Sequence, residues 1–266
     1  MRQAIEYRTP PDAPPPITPT TRSLLGELTL GLTVARLVLA APKLARLQRG
    51  GSPLVLIPGW KSPEASMEPL RRFLKSRGYQ AQHWGLGTNQ GDPEADREKV
   101  AELVTDIYEK EGQPVGLIGW SLGGVVARET ARLIPDSVLG VVTYGTPVMG
   151  GPTYTLAGPW WGDEECERIS TTVRELDETS PISVPIAAIF TRKDGVVSWP
   201  SCIDRYSPDV VHFEASSTHL GLGVDPTVWE IVAQQLGEFA DRRGAPPTSD
   251  AATSDAALNA EAAGSA

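Results

Sequence analysis

Val115-Gly116-Leu117-Ile118-Gly119-Trp120-Ser121-Leu122-Gly123-Gly124-Val125-Val126-Ala127 reads as a short apolar strand, a tight turn with one serine at its apex, and the opening of a helix. Gly119-Trp120-Ser121-Leu122-Gly123 has the G-x-S-x-G spacing, in the strand–turn–helix setting that gives the spacing meaning. A serine in a strained backbone conformation needs small neighbours, because side chains there would clash with the turn. The helix predicted over 121–134 would aim its free N-terminal N–H groups at negative charge forming beside Ser121. The plainer alternative is a strand–helix turn with an incidental serine.

Upstream of this stretch, residues 1–19 hold Pro10, Pro11, Pro14, Pro15, Pro16 and Pro19, which predicts a mobile or extended arm and neither a helix nor a central strand. Residues 20–48 turn helical, with Leu24, Leu25, Leu28, Leu32, Leu37, Val38 and Leu44 forming an apolar surface. Glu27 and Arg36 interrupt it, leaving it short of the charge-poor span of about 18 residues that crosses a membrane. Packing on the domain is the favoured reading. The alternatives are a helix on a membrane surface, supported by Lys43, Arg46 and Arg49 at its end, and a dimer contact. The run 53–58, continuously apolar, suits a strand buried on both faces, followed by Gly59-Trp60. A helix over 64–77 and a strand over 79–84 come next. The glycine-rich loop 85–91 lacks the spacing of a nucleotide-phosphate motif and is read as a turn beside the site. A helix over 93–111 leads to the elbow strand.

Downstream, an apolar strand over 137–144 gives way to an irregular insertion over about 148–181 that carries Trp160 and Trp161 and looks like a lid. Strands over 184–191 and 209–215, then a helix over 226–242, complete a domain expected to span 50–243. The tail 244–266, without periodicity, is expected to be disordered. Strands alternating with helices predict a doubly wound α/β fold, a mostly parallel sheet of about six strands covered on both faces.

The chain has 266 residues and a formal net charge of −9, which suits one α/β domain with tails and argues against a nucleic-acid partner. Its two cysteines, Cys166 and Cys202, fit no zinc spacing, so no metal is expected. They are either reduced thiols or a disulfide tying the lid to the loop after Asp194. The first residues lack the pattern of a signal peptide, so a cytoplasmic protein is expected, peripheral to a membrane if 20–48 lies on one. The sequence leaves the oligomeric state open.

A serine needs a base to take its proton and a third group to hold that base. The chain has three histidines. His83 and His212 lie within strands and read as structural, whereas His219 follows the last strand, where sites form in an open parallel sheet. Asp194 occupies the matching position after its own strand. Asp204 and Asp209 compete with it, and Asp177 is an outside alternative. The order Ser121, Asp194, His219 is that of one known triad arrangement, with His219 as base and Asp194 as its orienter. Two backbone donors should await charge on a substrate oxygen: the N–H of Leu122 and that of Trp60.

On Pro58-Gly59-Trp60, Gly119-Trp120-Ser121-Leu122-Gly123-Gly124, Arg192-Lys193-Asp194-Gly195 and Thr218-His219-Leu220-Gly221, the chain resembles the serine α/β-hydrolases of the lipase/esterase group over about 53–240. Pro58 stands where many lipases have histidine. Those enzymes usually have two further strands ahead of the oxyanion-loop strand, where this sequence offers a helix. The resemblance implies hydrolysis of a carboxylic ester through an acyl-enzyme on Ser121, with acyl transfer to another acceptor, or a non-catalytic membrane-associated role, as alternatives. Trp120, Trp160 and Trp161, with Trp60, are candidates to line an apolar acyl pocket for a small-molecule or lipid ester. No cofactor is expected.

Overall fold

The computed structural model describes residues 4–244; of the tail expected over 244–266, Gly244 ends the last helix and the rest lies outside the described residues. Seven strands form one sheet: β1 (Ile5–Tyr7), β2 (Pro53–Ile57), β3 (Gln80–His83), β4 (Val115–Trp120), β5 (Val138–Tyr144), β6 (Ile186–Phe190) and β7 (Val210–Glu214). Their spatial order is β1-β7-β6-β5-β4-β2-β3, parallel throughout except for β1, which runs antiparallel along β7. The sequence leads to about six strands; the seventh is β1. It lies in the proline-rich arm but ahead of Pro10, and as an edge strand it needs only one hydrogen-bonded neighbour. The arm is laid along the domain, where the Ile17 N–H donates to Ser198 Oγ at 3.1 Å and Thr18 Oγ1 to the Thr153 carbonyl at 3.1 Å.

Strands β2, β4, β5 and β6 are buried at every position except Trp120, as expected of parallel strands covered on both faces. One core lies between the sheet and helices α1 (Leu30–Leu44), α2 (Glu68–Ser76) and α7 (Pro226–Gly244), through Leu44, Leu70, Leu74, Val232 and Phe239. The other lies under α3 (Pro93–Glu111) and α4 (Leu122–Leu133), through Val100, Val104, Val126 and Ala131. The chain steps outward from β2 to β3, then crosses back to place β4 on the other side of β2. Clefts in α/β sheets form at such a reversal, beyond the carboxyl ends of the strands.

The insertion between β5 and β6 holds two short 3-10 turns, Gly151–Tyr154 and Gly158–Trp160, and the helix α5 (Asp163–Thr179). Cys166 and Cys202 are both buried free thiols, so the disulfide alternative does not hold. The N-terminal helical stretch begins as a 3-10 helix, Thr21–Thr29, and continues as α1. Ser23–Leu44 is long and apolar enough to cross a membrane by length and composition, contrary to the sequence expectation. Of its charged residues Glu27, Arg36 and Lys43, a stretch of 18 residues within the run holds no more than two, too few to disqualify it, and the structure lays its inner side on α7 and on the short helix α6 (His219–Leu222).

Candidate active site

Ser121 sits at the N-terminus of α4 with φ 53° and ψ −123°, one of two non-glycine residues with positive φ among the described residues. A backbone bend this sharp is held by its surroundings. A Cβ on Gly119 would overlap Gly124 Cα and the Gly123 carbonyl, and one on Gly123 would overlap the Ile57 carbonyl. The Ser121 N–H donates to the Tyr144 carbonyl at 2.9 Å, fixing the turn to the end of β5. The glycines of G-x-S-x-G are therefore required by close approach of backbone to backbone.

His219 opens α6, just beyond β7, and Asp194 lies in the turn after β6. His219 Nδ1 stands 2.8 Å from Asp194 Oδ2, and their side chains are 4% and 1% exposed. Asp194 Oδ1 accepts the N–H groups of Val196 at 2.9 Å and Val197 at 2.7 Å, so the carboxylate is clamped from behind while its other oxygen faces the ring. With Nδ1 occupied, Nε2 is the nitrogen free for the cleft, which His219 lines together with Ser121. The ring lies over Gly145, where a Cβ would come within 2.9 Å of Nδ1, and its centroid is 5.9 Å from that of Trp120. These contacts put the imidazole at the ends of β4 and β5, beside the elbow; the Ser121 hydroxyl itself makes no hydrogen bond among the described residues. Burial pulls the His219 pKa down, but the charge and hydrogen bond of Asp194, with the charge of Glu27, more than offset it, leaving the pKa above the ordinary imidazole value.

The competing groups are committed elsewhere. Asp204 pairs with Arg128 at 2.5 Å and accepts the N–H groups of Tyr206 and Ser207; burial raises its pKa, and these partners outweigh burial to leave it low. His212 Nε2 accepts the Asp204 N–H at 3.0 Å, and burial lowers that histidine's pKa to about 4. Asp177 is held by Arg132 at 2.6 Å, and Asp209 by Arg242. His83 meets Glu68 at 3.0 Å on the far edge of the sheet.

The backbone N–H groups of Trp60 and Leu122 donate to no protein acceptor among the described residues. A Cβ on Gly59 would lie 3.3 Å from Ser121 Cβ, which measures how closely the loop after β2 approaches the serine. Asn89, fully buried, fastens that loop: its Nδ2 donates to the Pro58 carbonyl at 2.9 Å, and the Lys61 N–H donates to the Asn89 carbonyl at 2.8 Å. The glycine-rich loop reaches the cleft at Gly91, whose missing side chain leaves room for the Trp60 ring.

The cleft over Ser121 has a volume of about 810 Å³. Trp60, Trp120 and Trp161 line it, and the insertion forms one wall through Val148, Pro152, Ile169 and Leu176, while Arg97, Arg128, Glu165 and Arg168 bring charge to it. Trp160 does not line it: 75% exposed, it packs edge-on against Trp60 at 5.4 Å. Its neighbour Trp161 turns inward instead, because adjacent residues of a helical turn point in different directions.

Sequence reasoning missed Glu27. Only 7% exposed, its carboxylate accepts the N–H groups of Gly195 at 3.2 Å, His219 at 3.0 Å and Leu220 at 2.9 Å. It thereby bridges the turn after Asp194 to the unpaired first N–H groups of α6, where an anion is favoured. The signal was present as a single acid in an otherwise apolar helical run, a place where a carboxylate is expensive unless hydrogen-bonded.

Residues 54–256 match the model of the alpha/beta hydrolase family. The pimeloyl-[acyl-carrier protein] methyl ester esterase of Photobacterium profundum is 34% identical over 116 residues, 42% of this chain and 42% of that protein. The enzyme of the same name from Aliivibrio salmonicida is 31% identical over 134 residues, 50% of this chain and 49% of that protein. The chain thus spans about half the length, or less, of the curated relatives it matches. Among solved structures, one described with LipS and LipT, two metagenome-derived lipolytic enzymes, superposes with a TM-score of 0.56 at 15% identity, over 73% of this chain and 96% of that one. The monoacylglycerol lipase of Paleococcus ferrophilus gives 0.55 at 16% identity, over 72% and 97%. At these identities the likeness is one of fold.

Proposed function

The chain belongs to the alpha/beta hydrolase family, and we propose that it hydrolyses carboxylic esters through an acyl-enzyme on Ser121. His219 takes the serine proton as Ser121 attacks the ester carbonyl, then returns it to the departing alkoxide, and a water repeats the sequence on the acyl-enzyme. Asp194 holds the ring with Nδ1 protonated and Nε2 free to accept, and its charge stabilises the imidazolium that forms. The Trp60 and Leu122 N–H groups receive the oxyanion, and α4 adds its N-terminal partial charge. The observation that carries this reading is the buried pair at 2.8 Å, Asp194 to His219 Nδ1, on the rim of the cleft that contains the strained Ser121.

The substrate is an ester whose acyl group is apolar. The tryptophans beside Ser121 support that choice, as does the size of the cleft, which falls in the range of sites for small organic ligands. The curated relatives are named as methyl ester esterases, which supports the same bond class. Residues 148–181 act as the lid, and the chemistry requires no cofactor. A panel of p-nitrophenyl esters of increasing acyl length tests the reading: the wild type should turn over at least one, and Ser121→Ala none above background. Equal turnover by both proteins on every active ester would overturn it.

A further inference from the structure

We propose that the helix running from Thr21 to Leu44 docks this protein on an anionic lipid bilayer, with its outer side seated in the interface. Its side chains are arranged opposite to those of an ordinary surface helix. The polar groups turn inward: Glu27 onto the backbone of Gly195, His219 and Leu220, and Arg36 towards Asp225 at 3.5 Å. Leu37, Ala40 and Leu44 pack on the core, and the other large apolar side chains turn outward. Leu24, Leu25, Leu28, Leu32, Val34, Val38 and Leu39 are all exposed, Leu28 and Leu39 to 81%. Between positions 24 and 42 the exposed residues are apolar or glycine except for Thr29. A contiguous apolar surface of this length marks a contact with something outside the chain.

Three observations select a bilayer as the occupant. Within α1, at about 100° per residue, the exposed apolar positions sweep roughly 180° of the helix circumference. A second helix would cover only the narrower seam of a coiled coil, whereas an interface covers the whole arc. The apolar surface ends in a basic group: Lys43, Arg46 and Arg49 are exposed, and Arg77 reaches the Ala45 and Leu47 carbonyls beside them. Lys43 meets Glu230 at 2.6 Å; Arg46 and Arg49 form no ion pair among the described residues. In a chain of net charge −9, a local basic cluster at the end of an apolar stripe matches anionic headgroups. Finally, the inner side packs on α7 and α6, so the helix lies along the domain surface, where it can enter the interface without spanning it. Leu220, 40% exposed, lines the cleft and donates its N–H to Glu27 at 2.9 Å, so the cleft wall borders this helix.

This inference does not rest on the hydrolase reading, and vesicle flotation of the full chain tests it without measuring turnover. The protein should float with phosphatidylcholine vesicles containing phosphatidylglycerol, float less with phosphatidylcholine alone, and lose binding as salt rises. The triple change Leu28→Glu, Leu32→Glu and Leu39→Glu should lower partition by at least about a hundredfold, because it removes three leucines from the buried side. Its melting temperature should not fall. Arg46→Glu with Arg49→Glu should remove the preference for phosphatidylglycerol alone. A protein that stays at the bottom of the gradient with both vesicle types, or a triple variant that floats as the wild type does, overturns the proposal. A dimer in sedimentation that the triple variant dissociates, without flotation, reassigns the surface to a second copy and overturns it equally.

Discussion

Replacing Asp194 by asparagine removes one charge and almost no volume, and the hydrogen bonds around it decide how the amide must sit. Oδ1 accepts two backbone N–H groups, from Val196 and Val197, at 2.9 and 2.7 Å. The amide oxygen of the variant must therefore occupy that position, which turns its NH₂ towards His219 Nδ1. A donor facing Nδ1 forces the ring proton onto Nε2, the nitrogen that must accept from Ser121. Restoring the productive tautomer means flipping the amide, which breaks both backbone hydrogen bonds at about 1–1.5 kcal/mol each and sets an NH₂ against two donors. The lost charge withdraws about 1.5–3 kcal/mol of charge-assisted hydrogen bonding from the imidazolium. Together these raise the barrier by about 4–6 kcal/mol, or about 10³- to 10⁴-fold in kcat/KM. Initial rates on the best p-nitrophenyl ester measure this, with circular dichroism and thermal melting to establish that the variant is folded. A folded Asp194→Asn protein within tenfold of wild type would refute the orienting role and the tautomer argument with it.

Glu27→Gln leaves one oxygen to serve N–H groups that now use two, so at least one buried donor loses its partner; chemical denaturation should register a loss of about 2–4 kcal/mol. His219 must be neutral to act as a base, and its pKa is raised, so kcat/KM should fall as pH drops through a value above about 6.5. Glu27→Gln should move that acid limb to lower pH, because the negative charge of Glu27 favours the imidazolium; an unmoved limb would confine Glu27 to a structural role. Gly119→Ala has no room, since its new carbon would meet backbone at Gly123 and Gly124, and should destabilise by more than about 4 kcal/mol or fail to fold. Gly237→Ala, in α7 with nothing within 4 Å of the new carbon, should instead stabilise by about 0.5–1 kcal/mol.

The sheet was legible because its parallel strands are buried on both faces, which leaves continuous apolar runs such as 53–57 and 115–119 in the sequence. Strand β1 was not: three residues beside a proline cluster carry no period, and its pairing is decided by the exposed edge of β7. Ser121, Asp194 and His219 could be chosen as candidates from chain order and strand ends, and the geometry that makes Asp194 preferable to Asp204 is an ion pair with Arg128, 76 residues distant in sequence. Glu27 was hidden for the opposite reason. Its partners are backbone N–H groups, which every residue but proline has, so no side chain elsewhere announces the contact. Trp160 and Trp161 are adjacent and alike in sequence, and only the turn 158–160 determines which of them faces the cleft.

Labelling with a fluorophosphonate, followed by peptide mapping, tests the central claim most directly, because the probe reacts only with a serine whose hydroxyl is activated. The account predicts a single adduct on the peptide containing Ser121, absent in Ser121→Ala and much slower to form in His219→Ala. Undiminished ester hydrolysis without an adduct on Ser121, or an adduct on another serine that abolishes turnover, would contradict it.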